Sequence, residues 1–116
     1  MFNIHIWNRF DISLGKQSLN KIKVSDDFSK LLVLQNEENY PLISDLSLDD
    51  YSLFTYNQLD DLNDEFSLLN TKYPEYTNEI MNIKDSLKIA IEMRKEILFD
   101  PFTAWLKIKG TVANSC

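Results

Sequence analysis

Glycine is scarce in this sequence of 116 residues, which contains only Gly15 and Gly110. Their number and spacing exclude a dinucleotide-binding G-x-G-x-x-G fingerprint, a P-loop and an EF-hand loop, because each of these needs glycine at fixed positions. Proline is almost as rare, with three residues in the chain. So few turn-forming residues also disfavour a many-stranded sandwich or barrel.

Histidine and cysteine occur once each, as His5 and Cys116. A zinc site needs several such ligands, and two residues at opposite ends of the chain do not supply them. A nucleophilic triad would require His5 beside Cys116 or a serine, so we favour a structural or surface role for His5. Paired carboxylates for glycoside chemistry stay open as an alternative. We therefore expect no cofactor and no enzymatic activity, and a small hydrolase is disfavoured.

Long apolar runs and targeting signals are also missing. No stretch approaches the roughly 20 apolar residues that span a bilayer, and the first residues lack the basic and apolar regions of a signal peptide. A lone cysteine favours a reducing compartment. We expect a soluble cytoplasmic protein, and its net charge of −6 disfavours nucleic acid and membranes as partners and favours a basic one.

The first part of the sequence contains short segments that are typical of strands. Alternating apolar residues predict a strand from Phe2 to Trp7, which either ends there or is buried on both faces. A second strand at a sheet edge is predicted over 21–24, and a helix cap or turn follows at Ser25. The apolar run 31–34 does not distinguish strand from helix, and we lean to strand. Residues after it, to Asp50, are predicted to be loop with one helical turn.

Two main helices are predicted in the second part. The first covers 57–70, with Thr55 as its cap and an apolar residue at every third or fourth position. The second covers 75–96, and Leu98 continues its apolar face. Arg94 falls within that face, where it either snorkels at the helix end or pairs with an acidic side chain.

The C-terminal part is predicted to leave the second helix through a proline turn over 97–102 and to form a terminal strand over 104–109. In this arrangement Trp7 and Trp105 belong to one sheet. The predicted fold class is α+β, with a small antiparallel sheet packed against two main helices. We expect a single domain over 1–110 and a frayed tail over 111–116.

Basic residues are absent from 31–71, which we call the acidic segment. The rest of the chain carries more basic than acidic residues, so the negative charge of the protein is concentrated in this segment. Nine acidic residues lie within it: Glu37, Glu38, Asp45, Asp49, Asp50, Asp60, Asp61, Asp64 and Glu65.

Acidic residues within the first main helix repeat at intervals of four. Asp60 pairs in this way with Asp64, and Asp61 with Glu65, and like charges at that spacing repel by about 0.2–0.5 kcal/mol. Both pairs lie off the apolar stripe, so we expect them to face solvent. A positively charged partner would relieve the repulsion, but a merely solvated helix face fits the pattern equally well. A carboxylate-only calcium or magnesium site on these residues is a weaker alternative.

Several motifs occur in a fixed order in the middle of the chain: a proline-leucine segment leads to an aspartate-tyrosine pair, and a helix follows with a glutamine and an acidic, leucine-rich patch. These residues are Tyr40-Pro41-Leu42-Ile43-Ser44-Asp45-Leu46, Asp50-Tyr51-Ser52-Leu53-Phe54-Thr55, Gln58-Leu59 and Asp64-Glu65-Phe66-Ser67-Leu68-Leu69. The pattern resembles that of small bacterial immunity proteins of polymorphic and contact-dependent growth inhibition toxin systems. The ending Leu98-Phe99-Asp100-Pro101-Phe102 also resembles theirs, whereas nothing before Tyr40 does.

This resemblance implies a protein that binds the toxin domain of its own system and blocks the active site or substrate groove. Many such toxins are nucleases with basic surfaces, which an acidic inhibitor would fit. The predicted partner-binding residues are Asp45, Asp49, Asp50, Tyr51, Tyr56, Asp60, Asp61, Asp64 and Glu65. The alternative is an acidic regulatory or adaptor protein that binds a small ligand or a divalent cation at the carboxylates.

Overall fold

The computed structural model describes residues 1–8 and 18–102, and these form an α+β fold, as predicted. Four strands make one antiparallel sheet, and two main helices and a shorter one pack with it. The strands are β1 (Asn3–Trp7), β2 (Ser18–Lys23), β3 (Ser52–Phe54) and β4 (Glu96–Asp100). The helices are α1 (Asp26–Val33), α2 (Leu59–Lys72) and α3 (Thr77–Met93), and short 3-10 turns cover Ile43–Asp45, Tyr56–Gln58 and Pro74–Tyr76.

The sheet has the strand order β2-β1-β4-β3, so β2 lies at an edge, as predicted. In the register of the two central strands, Ile4 lies opposite Phe99 and Ile6 opposite Ile97. These residues face the helices, and Phe99 also makes edge contacts with other aromatic rings of the core. The alternate residues of β1, among them Asn3 and His5, face the other side of the sheet and are buried as well. The strand is therefore buried on both faces, one of the two predicted alternatives.

The first main helix has the predicted apolar stripe, but it begins and ends two residues later than the predicted 57–70, and Thr55 caps the short 3-10 turn that leads into it. Its apolar stripe is fully buried, and burial of each such side chain contributes roughly 1.5–3 kcal/mol. The stripe consists of Leu59, Leu62, Phe66 and Leu69. Thr55 and Gln58 form a capping box immediately before α2, in which the Gln58 side chain accepts a hydrogen bond from the Thr55 N–H at 2.9 Å.

The second main helix ends earlier than predicted. Arg94 has φ 56° and ψ 44°, a left-handed conformation that ends α3 at Met93. The segment 97–102 was predicted to be an exit from the helix, but Glu96–Asp100 is strand β4, all of it buried. Leu98 therefore belongs to the sheet and not to the helix. Arg94 itself is exposed, and the ion pairs within the described residues do not include it.

The predicted strand at 31–34 is wrong, because Leu31 to Val33 belong to helix α1. Ser25 caps this helix by accepting a hydrogen bond from the Phe28 N–H at 3.2 Å. Its own N–H and hydroxyl donate to the Glu79 carboxylate of α3 at 3.0 and 2.7 Å. Phe28 and Leu32 lie one turn apart in the core, which is the spacing of a helix face.

Some predictions lie outside the described residues: the terminal strand over 104–109, the placement of Trp105 and the frayed tail over 111–116. Across residues 1–8 and 18–102, no helix is both long enough and apolar enough to cross a lipid bilayer. Most of the described apolar side chains gather in one core between the sheet and the helices.

Candidate functional site

Six aspartates of the acidic segment are exposed, and we call them the acidic surface. They come from three places: the 3-10 turn at Ile43–Asp45, the loop before β3, and the start of α2. The members of the acidic surface are Asp45, Asp49, Asp50, Asp60, Asp61 and Asp64. Their exposure agrees with the prediction for the aspartates at the start of α2.

Glu65 is the exception, and the prediction that it faces solvent is wrong. Its side chain is only 8% exposed, and its carboxylate accepts hydrogen bonds from the N–H groups of Leu42 and Ile43 at 3.0–3.1 Å. These N–H groups begin the 3-10 turn that carries Asp45. Glu65 therefore holds this turn against α2 and is a positioning residue for the acidic surface, because its carboxylate is occupied by backbone donors.

The electrostatics around Glu65 show which parts of the acidic surface lie together. Burial raises the pKa of Glu65, the two backbone hydrogen bonds oppose that shift, and repulsion by Asp61 and Asp45 adds to it. Asp45 and Asp61 are distant in sequence, yet both act on this one carboxylate. The fold thus brings the 3-10 turn and the first turn of α2 into one negatively charged neighbourhood.

Lysine and arginine side chains from elsewhere in the chain were the obvious candidates to neutralise the acidic surface. Within the described residues, however, the ion pairs join the N-terminus to Asp26 at 3.4 Å and His5 to Asp100 at 3.7 Å. Neither pair involves the acidic surface. Its charge is therefore directed at solvent or at a partner, with no contact cation from the described part of the protein.

Aromatic side chains of the acidic segment divide into two groups. Tyr40 and Phe54 are buried in the core, so their roles are structural. Tyr51 and Tyr56 are 46% and 40% exposed, as suits the predicted anchor residues. Tyr51 lies next to Asp50, whose carboxylate accepts a hydrogen bond from the Tyr51 N–H at 2.8 Å.

Tyr51 also borders a cavity of about 480 Å³, which we call the outer pocket because it lies on the sheet face opposite α2 and α3. Cross-strand register builds its floor: His5 of β1 lies opposite Leu98 of β4, which in turn lies opposite Leu53 of β3. Among the described residues, those that line the outer pocket are His5, Trp7, Tyr51, Leu53, Leu98 and Asp100.

The polar end of the outer pocket is formed by His5 and Asp100. Asp100 is 3% exposed. One of its carboxylate oxygens accepts a hydrogen bond from the Phe102 N–H at 2.8 Å, and the other lies 3.7 Å from His5 Nε2. Burial, the largest cause, and the charge of Lys21 lower the pKa of His5, and together they outweigh the opposing effect of Asp100. The imidazole is therefore mainly neutral at pH 7, and within the described residues it does not give the carboxylate a full counter-charge.

Ser18 approaches the same histidine, with its hydroxyl oxygen 2.8 Å from His5 Nδ1. Serine, histidine and aspartate thus occur in the order of a hydrolytic triad. The Asp100–His5 separation of 3.7 Å is longer than a hydrogen bond, so the aspartate does not fix the imidazole as a triad requires. The Ser18 hydroxyl also lies 3.4 Å from the Asn20 carbonyl. These contacts fit a structural histidine, the role that the sequence favoured.

The outer pocket was not predicted from the sequence. The sequence pattern places Asp100, the residue that makes the pocket polar, in an exit turn, and it gives no partner for His5 in the first strand. Alternation within Glu96–Asp100 was the available signal, since it places Leu98 and Asp100 on one face. This alternation is hard to recognise because the apolar residues of β4 also continue the pattern of α3.

Metal ligands do not gather in the part of the chain that the structure describes. Across these residues, no group of three or more His, Cys, Asp or Glu side chains is placed to hold a metal ion. Asp60, Asp61 and Asp64 are exposed at the start of α2, while Glu65 is directed to backbone N–H groups. The carboxylates that had suggested a cation site therefore do not converge.

Comparisons with known proteins found no match from which a function could be inferred. No protein-family model matches the sequence, no curated protein matches it, and no solved structure matches the chain.

Proposed function

We propose that this protein is an immunity protein that neutralises a cognate toxin in the cytoplasm by stoichiometric binding. The acidic surface contacts a basic active site or substrate groove of the toxin, and a nuclease domain is the expected partner. Tyr51 and Tyr56 supply aromatic anchors beside the charged residues. The resemblance of the motifs between Tyr40 and Leu69 to those of immunity proteins also supports this proposal.

One observation carries the proposal furthest: six aspartates of the acidic segment are exposed, Asp45 and Asp61 act on one carboxylate, and the described residues supply no contact cation to any of the six. Repulsion within such a surface lowers the stability of the free protein, and a basic partner removes that cost on binding. Opposite charges also accelerate the encounter of the two proteins. Exposed tyrosines beside these charges provide contact area with little loss of side-chain freedom.

A charge-reversal variant tests the proposal. The partner is first isolated from lysate of the protein's own host, identified by mass spectrometry, and expressed as a purified domain. Its association rate is then measured with wild-type protein and with D60K/D61K/D64K at about 50 and 300 mM salt, which changes the Debye length more than twofold. We expect the variant to associate at least about tenfold more slowly and to lose most of the salt dependence.

A matched control removes the same number of acidic charges elsewhere. E75K/D85K/E92K changes three exposed residues outside the acidic segment, and we expect it to slow association less than the test variant does. Equal rates for the two variants would remove the acidic surface from the interface. Growth of cells that express the toxin must also depend on this protein. Toxicity that persists despite its expression would refute neutralisation.

The alternative, an adaptor that binds a small ligand or divalent cation at the carboxylates, has less support. Glu65 is occupied by backbone donors, and the described acidic side chains do not converge as metal ligands. Calorimetric titration with calcium separates the two functions, because heat at micromolar calcium would favour the adaptor.

A further inference from the structure

The outer pocket combines two features that suit a cation. Its lining includes the aromatic side chains of Trp7 and Tyr51, and Leu53 and Leu98 contribute apolar surface to its floor. Its polar end is a carboxylate, Asp100, that is nearly fully buried. Aromatic faces attract cations, and a carboxylate in an apolar setting attracts them further.

We propose that the outer pocket binds the guanidinium group of an arginine side chain presented by the basic partner. This inference rests on the proposed function and names a specific contact within it. A planar guanidinium can stack on an aromatic ring while it donates hydrogen bonds to a carboxylate, which an ammonium group does less well. The pocket volume of about 480 Å³ is ample for one side chain.

Position within the fold connects the pocket to the acidic surface. Tyr51 links the two, since it lines the pocket and directly follows Asp49 and Asp50 of the acidic surface. A basic protein steered to the acidic surface would therefore meet the rim of the pocket. Its negative end would then select an arginine from among the side chains at the interface.

Charged groups on the neighbouring strands act on the pocket in opposite directions. Lys21 of the edge strand β2 lies opposite His5 and its charge lowers the pKa of that imidazole, so it opposes a second cation, but the ion pairs of the described residues do not join it to Asp100. Glu96 of β4 lies opposite Trp7 and is buried on the same sheet face. His5 is the one described group within the pocket that becomes cationic at low pH, so arginine binding should weaken as pH falls below 6.5.

The test uses the whole protein and three small probes. Nα-acetyl-arginine amide is titrated into ¹⁵N-labelled protein, and the backbone and tryptophan indole signals are followed by NMR. Nα-acetyl-citrulline amide has the same shape without the charge, and Nα-acetyl-lysine amide carries the charge without the planar group. We expect saturable shifts at Trp7 and Asp100 with the arginine probe, about tenfold weaker binding of citrulline, and intermediate binding of lysine.

Two variants test whether the arginine probe binds in the outer pocket. D100N removes the pocket charge and can still accept the Phe102 N–H bond, and Y51L removes a partly exposed ring. Each should weaken arginine binding about tenfold, whereas D60N/D61N, outside the pocket, should change it less than about twofold. Y51L keeps the test available should D100N fail to fold. Equal binding of citrulline and arginine, or full arginine affinity in both pocket variants, would overturn the proposal.

The outcome separates this inference from the proposed function. The arginine probe needs no toxin, so absence of a toxin partner refutes the immunity function and leaves the probe result to stand by itself. Conversely, the partner could bind wild type and Y51L with equal affinity while the arginine probe binds Y51L more weakly. That result would show that the pocket does not contact this partner, and it would leave the immunity function intact.

Discussion

Replacement of Glu65 by alanine should destabilise the protein far more than replacement of its exposed neighbour Asp64. The Glu65 carboxylate is the acceptor for the N–H groups of Leu42 and Ile43, which begin the 3-10 turn. In E65A both of these N–H groups lose their hydrogen-bond acceptor. Because Ile43 is fully buried, water cannot readily replace the lost acceptor there, whereas Leu42 is half-buried and water can reach it.

The size of the effect follows from these two donors. A buried donor left without an acceptor costs about 1–3 kcal/mol, and hydrogen bonds to a charged group contribute about 1.5–3 kcal/mol. Part of this is offset because the buried carboxylate no longer has to be desolvated, as the raised pKa of Glu65 reflects. We therefore expect E65A to lose about 2–4 kcal/mol of the free energy of unfolding. E65Q retains an acceptor oxygen and should lose about half as much.

Urea unfolding followed by circular dichroism measures the difference. With a slope of about 2 kcal/mol per molar urea, the middle of the usual range, E65A should shift the midpoint by about 1–2 M. The matched control D64A changes an exposed carboxylate one residue earlier in α2 and should remain within about 0.5 kcal/mol of wild type. Equal losses for E65A and D64A would show that Glu65 does not hold the turn against the helix.

Two further predictions concern pH and the end of α3. Burial lowers the pKa of His5 below 6.5, so the unfolded chain takes up the proton more readily. Wild type should therefore lose stability as pH falls below 6.5 and H5Q should lose less, and a steeper loss in H5Q would contradict the burial effect. R94G places glycine at the left-handed position with φ 56° and should raise the free energy of unfolding by about 0.5–1 kcal/mol. K95G, at a position without positive φ, is the control and should give no increase in the thermal midpoint.

Elements with two independent local signals could be predicted from the sequence. The first main helix had both an apolar repeat and a cap at Thr55, and the structure contains both. The strand from Phe2 to Trp7 had β-branched and aromatic residues in alternation. In these segments local preference and tertiary packing agree, so the pattern of a single segment was sufficient.

Segments that depend on distant residues were not predictable in the same way. The run 31–34 is too short for its apolar spacing to distinguish a helix from a strand. Helix α1 is also held by the hydrogen bond from Ser25 to Glu79, a residue far away in the sequence. Strand β4 was obscured because its apolar residues continue the pattern of α3. The break at Arg94 depends on a backbone conformation that arginine does not signal.

The candidate site shows the same division. Exposure of Asp60, Asp61 and Asp64 followed from their position off the apolar stripe. Burial of Glu65 did not, because it depends on backbone donors in a turn that the chain leaves long before α2 begins. The outer pocket needs three strands in register, and that information appears only when the sheet is assembled.

The central position of β4 determines when the protein can finish folding. This strand is the last described element, yet it pairs with both β1 and β3. Until it has been synthesised, β1 has a partner on one side only, and its open edge can pair with other chains. Joining Ile4 to Phe99 closes a loop that includes nearly all described residues, and such non-local pairing slows folding. The protein should therefore complete its fold only once β4 has been synthesised, so that a product truncated before Glu96 lacks the central strand β4 and the pocket built upon it.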